Sequence, residues 1–322
     1  MARSDKGSDK SQGPSNSAGK GGSRGGNKSL RSAGYKGARS DNPKRAYGTK
    51  QHGAVSAPQS PRSPKDRSAK GSSRRSGSGN EGGSGWIYGT HASLAVLTNP
   101  KRTIHEVRLT DAASARLDLP HISAPVRDMV PAAMDKMFPR GTVHQGIAVK
   151  AAPLEWPDLE TLADRADDNG LILVLDQITD PHNVGAMLRL CSAFGVSALV
   201  MQTRKAPPLS GSLAKVAVGC LETVPVCLET NIANTIQNLQ RIGWHVTGLA
   251  GETDLSLSKA LSMGGKRVIV MGAEGPGLRE LVRKRCDQLA RIPMMSSDVA
   301  GEAESLNVAT AAAIALYEAR RD

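Results

Sequence analysis

The chain has 322 residues, 42 Lys+Arg against 30 Asp+Glu, a formal net charge of +12 and 3% aromatic residues. It holds no run near the roughly 18 apolar residues that a membrane-crossing helix needs, and no hydrophobic signal region follows the start, so a soluble cytoplasmic protein without a membrane partner is expected. Four cysteines, Cys191, Cys220, Cys227 and Cys286, lie scattered with no CxxC pair or neighbouring His cluster. They read as buried free thiols, and a zinc site or disulfide framework is not expected.

Charge divides the chain in two. Residues 1–84 hold 18 Lys+Arg and 5 Asp+Glu, leaving 24 and 25 from Gly85 onward. This tail is built from Ser, Gly, Lys, Arg and Pro with few large apolar residues, so it cannot bury enough surface to offset the entropy of ordering; a disordered basic tail is expected over 1–84. Such a segment either solubilises or holds polyanionic RNA through counterion release, and the second reading is preferred. An organelle transit peptide is disfavoured by the many Gly and Pro residues.

From Gly85 short apolar runs alternate with helical patterns, and two domains are expected, 85–152 and 153–322. In the first, Trp86-Ile87-Tyr88 precedes a helix over His91–Leu97, Ile104–Leu109 alternates like a half-buried strand, Pro131–Met137 is helical and Gly146–Lys150 is a strand. Residues 151–157, with two prolines and a tryptophan, read as a linker. Asp158–Ala166 then reads as a helix with acids at its N-terminal end, where the macrodipole favours them.

The second domain repeats strand and helix. Leu171–Leu175 leads into a helix over Asn183–Phe194, Ala198–Gln202 into Ser210–Val218, Thr223–Cys227 into Ile232–Ile242, and Trp244–Leu249 into Leu257–Leu261. Arg267–Met271 leads into Arg279–Lys284, and Gln288–Ile292 leads through a loop into Leu306–Arg320. Continuous Val/Ile/Leu runs bounded by turns mark strands covered on both faces, which predicts a doubly wound parallel α/β domain.

Three segments place polar or glycine residues directly after a strand or at the mouth of a helix, the position where ligands collect in a parallel sheet. In Asp180-Pro181-His182-Asn183, Asn183 reads as a helix cap with Arg189 two turns on; alone, this is an ordinary capped helix whose arginine faces water. Gly272-Ala273-Glu274-Gly275-Pro276-Gly277-Leu278 carries neither GxGxxG nor GK[ST], which excludes the dinucleotide and P-loop fingerprints and leaves a tight turn or a binding loop. Ser305-Leu306-Asn307-Val308 opens the last helix, with Ser305 as the expected cap.

Together, in this order, the three segments resemble the signature motifs of the SpoU/TrmH family of RNA ribose 2'-O-methyltransferases of the SPOUT superfamily. The resemblance covers nearly everything from Gly85 onward. It implies a deep trefoil knot in the C-terminal domain, a preceding substrate-binding domain related to a ribosomal-protein fold, a homodimer, S-adenosylmethionine as cofactor and structured RNA as substrate. It implies catalytic-site roles for Asn183, Arg189, Glu274, Ser305 and Asn307, and cofactor contacts at Gly272, Gly277, Ile292 and Leu306. The N-terminal module and the Val143-His144-Gln145-Gly146 segment look most like enzymes that methylate a guanosine of large-subunit rRNA, with tRNA as the alternative substrate and a catalytically silent RNA-binding or ribosome-assembly protein as the alternative class. The chain departs from the family in Met295–Glu304, several residues longer than usual and carrying Asp298, Glu302 and Glu304. Because a guanidinium is a poor base, Arg189 is expected to stabilise developing negative charge rather than to accept the proton.

Overall fold

The computed structural model describes residues 85–295 and 305–321. The expectations for residues 1–84 and for most of the loop 295–304 lie outside the described residues.

Two sheets form. The smaller has the order β1 (Trp86–Tyr88), β4 (Ile147–Ala151), β2 (Ile104–Leu109), β3 (Val126–Asp128), antiparallel except for β2 beside β3. Its helices are α1 (Thr90–Thr98), α2 (Asp111–Arg116) and α3 (Pro131–Asp135). Strand β2 stands at its expected bounds, while α2 and β3 were not expected. Helix α2 is a six-residue element capped by Thr110, too short for a periodicity to show, and all three side chains of β3 are exposed, so it has no apolar signature.

The turn before β4 is tied down by its own polar groups. Gly146 N donates to His144 Nδ1 at 3.1 Å, so the proton lies on Nε2, 2.9 Å from Asp135 Oδ1. Gln145, at φ 57°, lends its Oε1 to the amide of Thr90 at 2.8 Å. That amide opens α1, which has no side-chain cap of its own.

The larger sheet is wholly parallel, in the order β10 (Gln288–Ala290), β8 (His245–Leu249), β9 (Arg267–Gly272), β5 (Leu171–Asp176), β6 (Ala198–Gln202), β7 (Val226–Glu229). Helices α4 (Leu159–Arg165), α5 (Pro181–Ala193), α6 (Gly211–Ala217), α7 (Ile232–Arg241), α8 (Leu257–Leu261), α9 (Glu280–Arg285) and α10 (Val308–Arg320) complete it. Alternate residues of β5 serve different cores: Leu171, Leu173 and Leu175 pack with α5 and α10, and Ile172 and Val174 with α7. This two-sided burial is why the strand reads as an unbroken apolar run. Asp158 caps α4 as the acidic start of that helix requires, accepting from Thr161 N at 2.7 Å.

Four expectations are corrected. Asn183 does not cap α5: Asp180 does, accepting from His182 N at 3.1 Å, with Pro181 in the first turn, so Asn183 already lies inside the helix. Ser305 does not cap α10: Asn307 Oδ1 accepts from Ala309 N at 2.9 Å. The strand expected at Thr223–Cys227 runs instead over Val226–Glu229, because the amides of Thr223 and Val224 both donate to the carbonyl of Cys220 and Pro225 has no N–H. Of the four thiols, Cys191 and Cys227 are buried, whereas Cys220 and Cys286 are partly exposed.

Candidate active site

The carboxyl ends of β8, β9 and β10 open on a cleft of about 470 Å³, within the roughly 300–1,000 Å³ of small-molecule sites. Gly272, Glu274, Gly277, Ile292, Ser305 and Leu306 all line it, so all four expected cofactor positions converge there from segments far apart in the chain. The segment Leu249–Glu252 at the end of β8 and Arg283 of α9 form a wall that motif reading missed. Glu252 pairs with Arg283 at 2.9 Å, and a backbone amide together with that guanidinium holds its carboxyl below the ordinary range.

The second motif is a tight loop whose shape depends on Gly272. A Cβ there would lie 2.5 Å from the Gly277 carbonyl oxygen and closer still to the Gly277 carbonyl carbon and the Leu278 amide nitrogen, all of them backbone. Within the loop Gly277 N donates to Ala273 O at 2.9 Å, and Gly275 and Gly277 take φ of 82° and 68°. Just beyond it, Arg279 donates from its amide to Asp176 Oδ2 at 2.9 Å and from Nε to Oδ1 at 2.7 Å. The Asp176 side chain, at the end of β5, is 0% exposed. This pair fixes the loop to the centre of the sheet, and nothing local in the sequence marks it, because its members lie 103 positions apart.

Beside the cleft the three motifs meet. Glu274 Oε1 accepts from Asn307 Nδ2 at 2.9 Å, from Asn183 Nδ2 at 3.3 Å and from the amide of Val308 at 3.3 Å. Asn307 Nδ2 also donates to Asn183 Oδ1 at 3.1 Å. Both amide hydrogens of Asn307 and its carbonyl are therefore engaged, the carbonyl as the cap of α10. The Glu274 carboxylate sits against that helix N-terminus, where the macrodipole favours a negative charge.

Arg189 is not part of this knot of side chains. It is exposed on α5, has no hydrogen-bond or ion-pair partner among the described residues, and does not line the cleft. Six positions separate it from Asn183, so the two side chains leave the helix roughly 120° apart.

The donor set suits a nucleoside-bearing cofactor: backbone edges of a glycine loop, carbonyls and amides at strand ends, and apolar walls from Leu249, Leu278 and Ile292. Among the described residues there is no group of three His, Cys, Asp or Glu side chains placed to hold a metal ion.

Comparison with known proteins agrees with this geometry. Residues 170–317 match the SpoU rRNA Methylase family. The 23S rRNA (guanosine-2'-O-)-methyltransferase RlmB of Pseudomonas aeruginosa is 38% identical over 244 residues, covering 73% of this chain and 95% of its own length. The protein of the same name from Vibrio vulnificus is 40% identical over 246 residues, covering 73% and 96%. The crystal structure of the SpoU methyltransferase AviRb from Streptomyces viridochromogenes in complex with the cofactor AdoMet superposes with a TM-score of 0.59 at 18% identity, covering 73% of this chain and 88% of that one, and so shares the fold. With the three motifs meeting beside one cleft and relatives this similar over nearly their whole length, the chain belongs to the SpoU rRNA methylase family.

Proposed function

We propose that this protein is an S-adenosylmethionine-dependent RNA 2'-O-methyltransferase that modifies a guanosine ribose of 23S rRNA. The observation that carries this reading is the joining of Asn183, Glu274 and Asn307 by hydrogen bonds at the rim of a cleft walled by the glycine loop. Placed at the rim of a cofactor-sized cleft, this polar cluster supports a reaction there over RNA binding alone. Gly272, Gly277, Ile292 and Leu306 would hold the cofactor, which supplies an activated methyl group on a sulfonium. Methyl transfer then needs the 2'-oxygen held in line and relieved of its proton. Asn183, Glu274 and Asn307 orient the ribose side of the cleft, Ser305 contributes a hydroxyl at its lining, and the Arg189 guanidinium stabilises the developing alkoxide or a neighbouring phosphate.

Arg189 meets a reacting ribose most simply if two copies assemble, and we propose a homodimer; exposed Ile314 and Tyr317 on α10 supply apolar surface for it. The C-terminal trefoil knot, an RNA-recognition role for the module 85–152, with 153–322 as the catalytic domain, and a cytoplasmic location belong to the same proposal. Among the described residues no helix is long and apolar enough to cross a membrane. The tail 1–84 serves as a basic RNA arm, and its deletion should flatten the salt dependence of RNA binding.

The test is transfer of labelled methyl from S-adenosylmethionine to RNA from cells lacking this protein, followed by mapping of 2'-O-methyl sites. One ribose signal in 23S rRNA is expected, and it should vanish with Arg189→Ala while cofactor affinity is kept. A signal in tRNA would replace the substrate, and no transfer to any RNA or ribosomal precursor would sink the enzymatic reading.

A further inference from the structure

The small sheet is joined to the parallel one by more than the irregular segment 152–158. Ile87 and Val96 share one hydrophobic core with Leu213, Ala214, Ala217 and Leu221. The backbone at Gly219, at φ 90°, runs so close under α1 that a Cβ there would stand 2.7 Å from Ala95 Cβ. Above this seat lies a buried ion pair. Arg102, just after α1, donates from Nε to Glu222 Oε2 and from Nη2 to Oε1, both at 2.8 Å, with the two side chains 3% and 5% exposed. Asn99 Nδ2 adds a third bond to Oε2 at 2.8 Å, and Arg102 Nη1 reaches the carbonyl of Ala152, where the chain leaves β4.

These contacts tie three points together: the end of α1, the exit of the module and the turn Cys220–Glu222 that follows α6. The connection continues to the site, because α6 presses on α5 at Gly185, where a Cβ would meet Val216 Cβ at 2.8 Å and the Leu213 carbonyl at 2.9 Å. Helix α5 carries Asn183 and Arg189. A packed path therefore runs from the module through Arg102 and Glu222 to the first-motif helix.

We propose that Arg102 and Glu222 are positioning residues which hold the module at a fixed offset from the methyl-transfer cleft, so that the ribose modified is the one at a set distance from where the module grips RNA. This rests on the RNA-methyltransferase reading above. A bidentate guanidinium–carboxylate fork supplies orientation as well as attraction, and an ammonium cannot reproduce it.

Arg102→Lys keeps the charge and loses the fork. It should leave S-adenosylmethionine affinity within about twofold, reduce kcat on saturating 23S rRNA by about tenfold or more, and spread methylation to riboses flanking the parental site. A folded Arg102→Lys protein with parental kcat and a single parental site overturns the proposal, because a purely stabilising pair would leave both unchanged. Asn99→Ala, which keeps the fork, replaces it if the lysine variant fails to fold, and a smaller loss of positional fidelity is then expected. A parent protein that methylates no RNA defeats the functional reading instead. Hydrogen exchange then judges the seating by itself: Thr90–Thr98 and Cys220–Glu222 should lose protection in the variant while Leu171–Asp176 keeps it, and unchanged protection refutes the fixed seat.

Discussion

Gly272→Ala tests how the second motif is built. The added methyl would meet three backbone atoms of Gly277 and Leu278 at 2.5 Å or less, against the roughly 3.5–4.0 Å of ordinary carbon contacts. Backbone cannot rotate away as a flexible side chain can, so the loop must retreat by roughly an ångström. That motion strains the Gly277 N to Ala273 O bond and the adjoining anchor of Arg279 on Asp176. The cost falls toward the upper end of the about 1–3 kcal/mol of overpacked sites. For a folded region of this size it lowers Tm by about 4–10 °C. Because the same loop walls the cleft, S-adenosylmethionine affinity should fall at least about tenfold, or 1.4 kcal/mol. Gly264→Ala is the control, since a Cβ there meets nothing within 4 Å, and its Tm should stay within a degree or two. Thermal melts and calorimetric titration decide the matter. A Gly272→Ala protein that melts with the parent and binds the cofactor within threefold would refute the idea that this loop is held by backbone contact.

Asp176→Asn puts a neutral amide at the fully buried position opposite Arg279, which is itself 38% exposed, and should cost about 1.5–2 kcal/mol in urea unfolding; a loss below about 0.5 kcal/mol would mean that the pair does not anchor the loop. Asn307→Asp keeps the α10 cap but sets a carboxylate against Glu274, whereas Asn307→Ala loses the cap, about 1 kcal/mol. The Asp variant should therefore be the less active of the two relative to its stability, and equal activity would detach Asn307 from the cluster. Burial pushes the Cys227 thiol up to about 11 and the Cys286 thiol up to about 12 from 9.0, so the folded chain keeps protons that the unfolded chain releases. Their contribution is full below about pH 9 and is lost as pH rises toward 11–12. The urea midpoint should drop between pH 8 and pH 10.5, less so in a Cys227→Ala, Cys286→Ala protein, and an equal drop in both would refute the assignment.

What the sequence made legible follows from the range over which each force acts. The strands of the parallel sheet were readable because burial on both faces leaves an uninterrupted apolar run, as in Leu171–Leu175. Strand β3 was not, because every side chain on it faces outward and its membership is decided by pairing with β2. The helix caps were misplaced for a related reason. Asp180 and Asn183, like Ser305 and Asn307, are all competent caps by residue type, and the choice is made by where the chain leaves the preceding strand and by what else each amide must satisfy. Asn307 caps α10 while donating to Glu274 and Asn183, a threefold demand that a serine hydroxyl could not meet. The motif residues of the site were legible as short strings because each string carries its own turn chemistry. Their supports were not: Asp176 with Arg279 and Arg102 with Glu222 are pairs separated by more than a hundred positions, each member unremarkable in its own neighbourhood. The glycine loop is held by one long-range ion pair and the small module is seated by the other, so a reading from local pattern finds the residues that line the cleft before it finds what keeps their surroundings still.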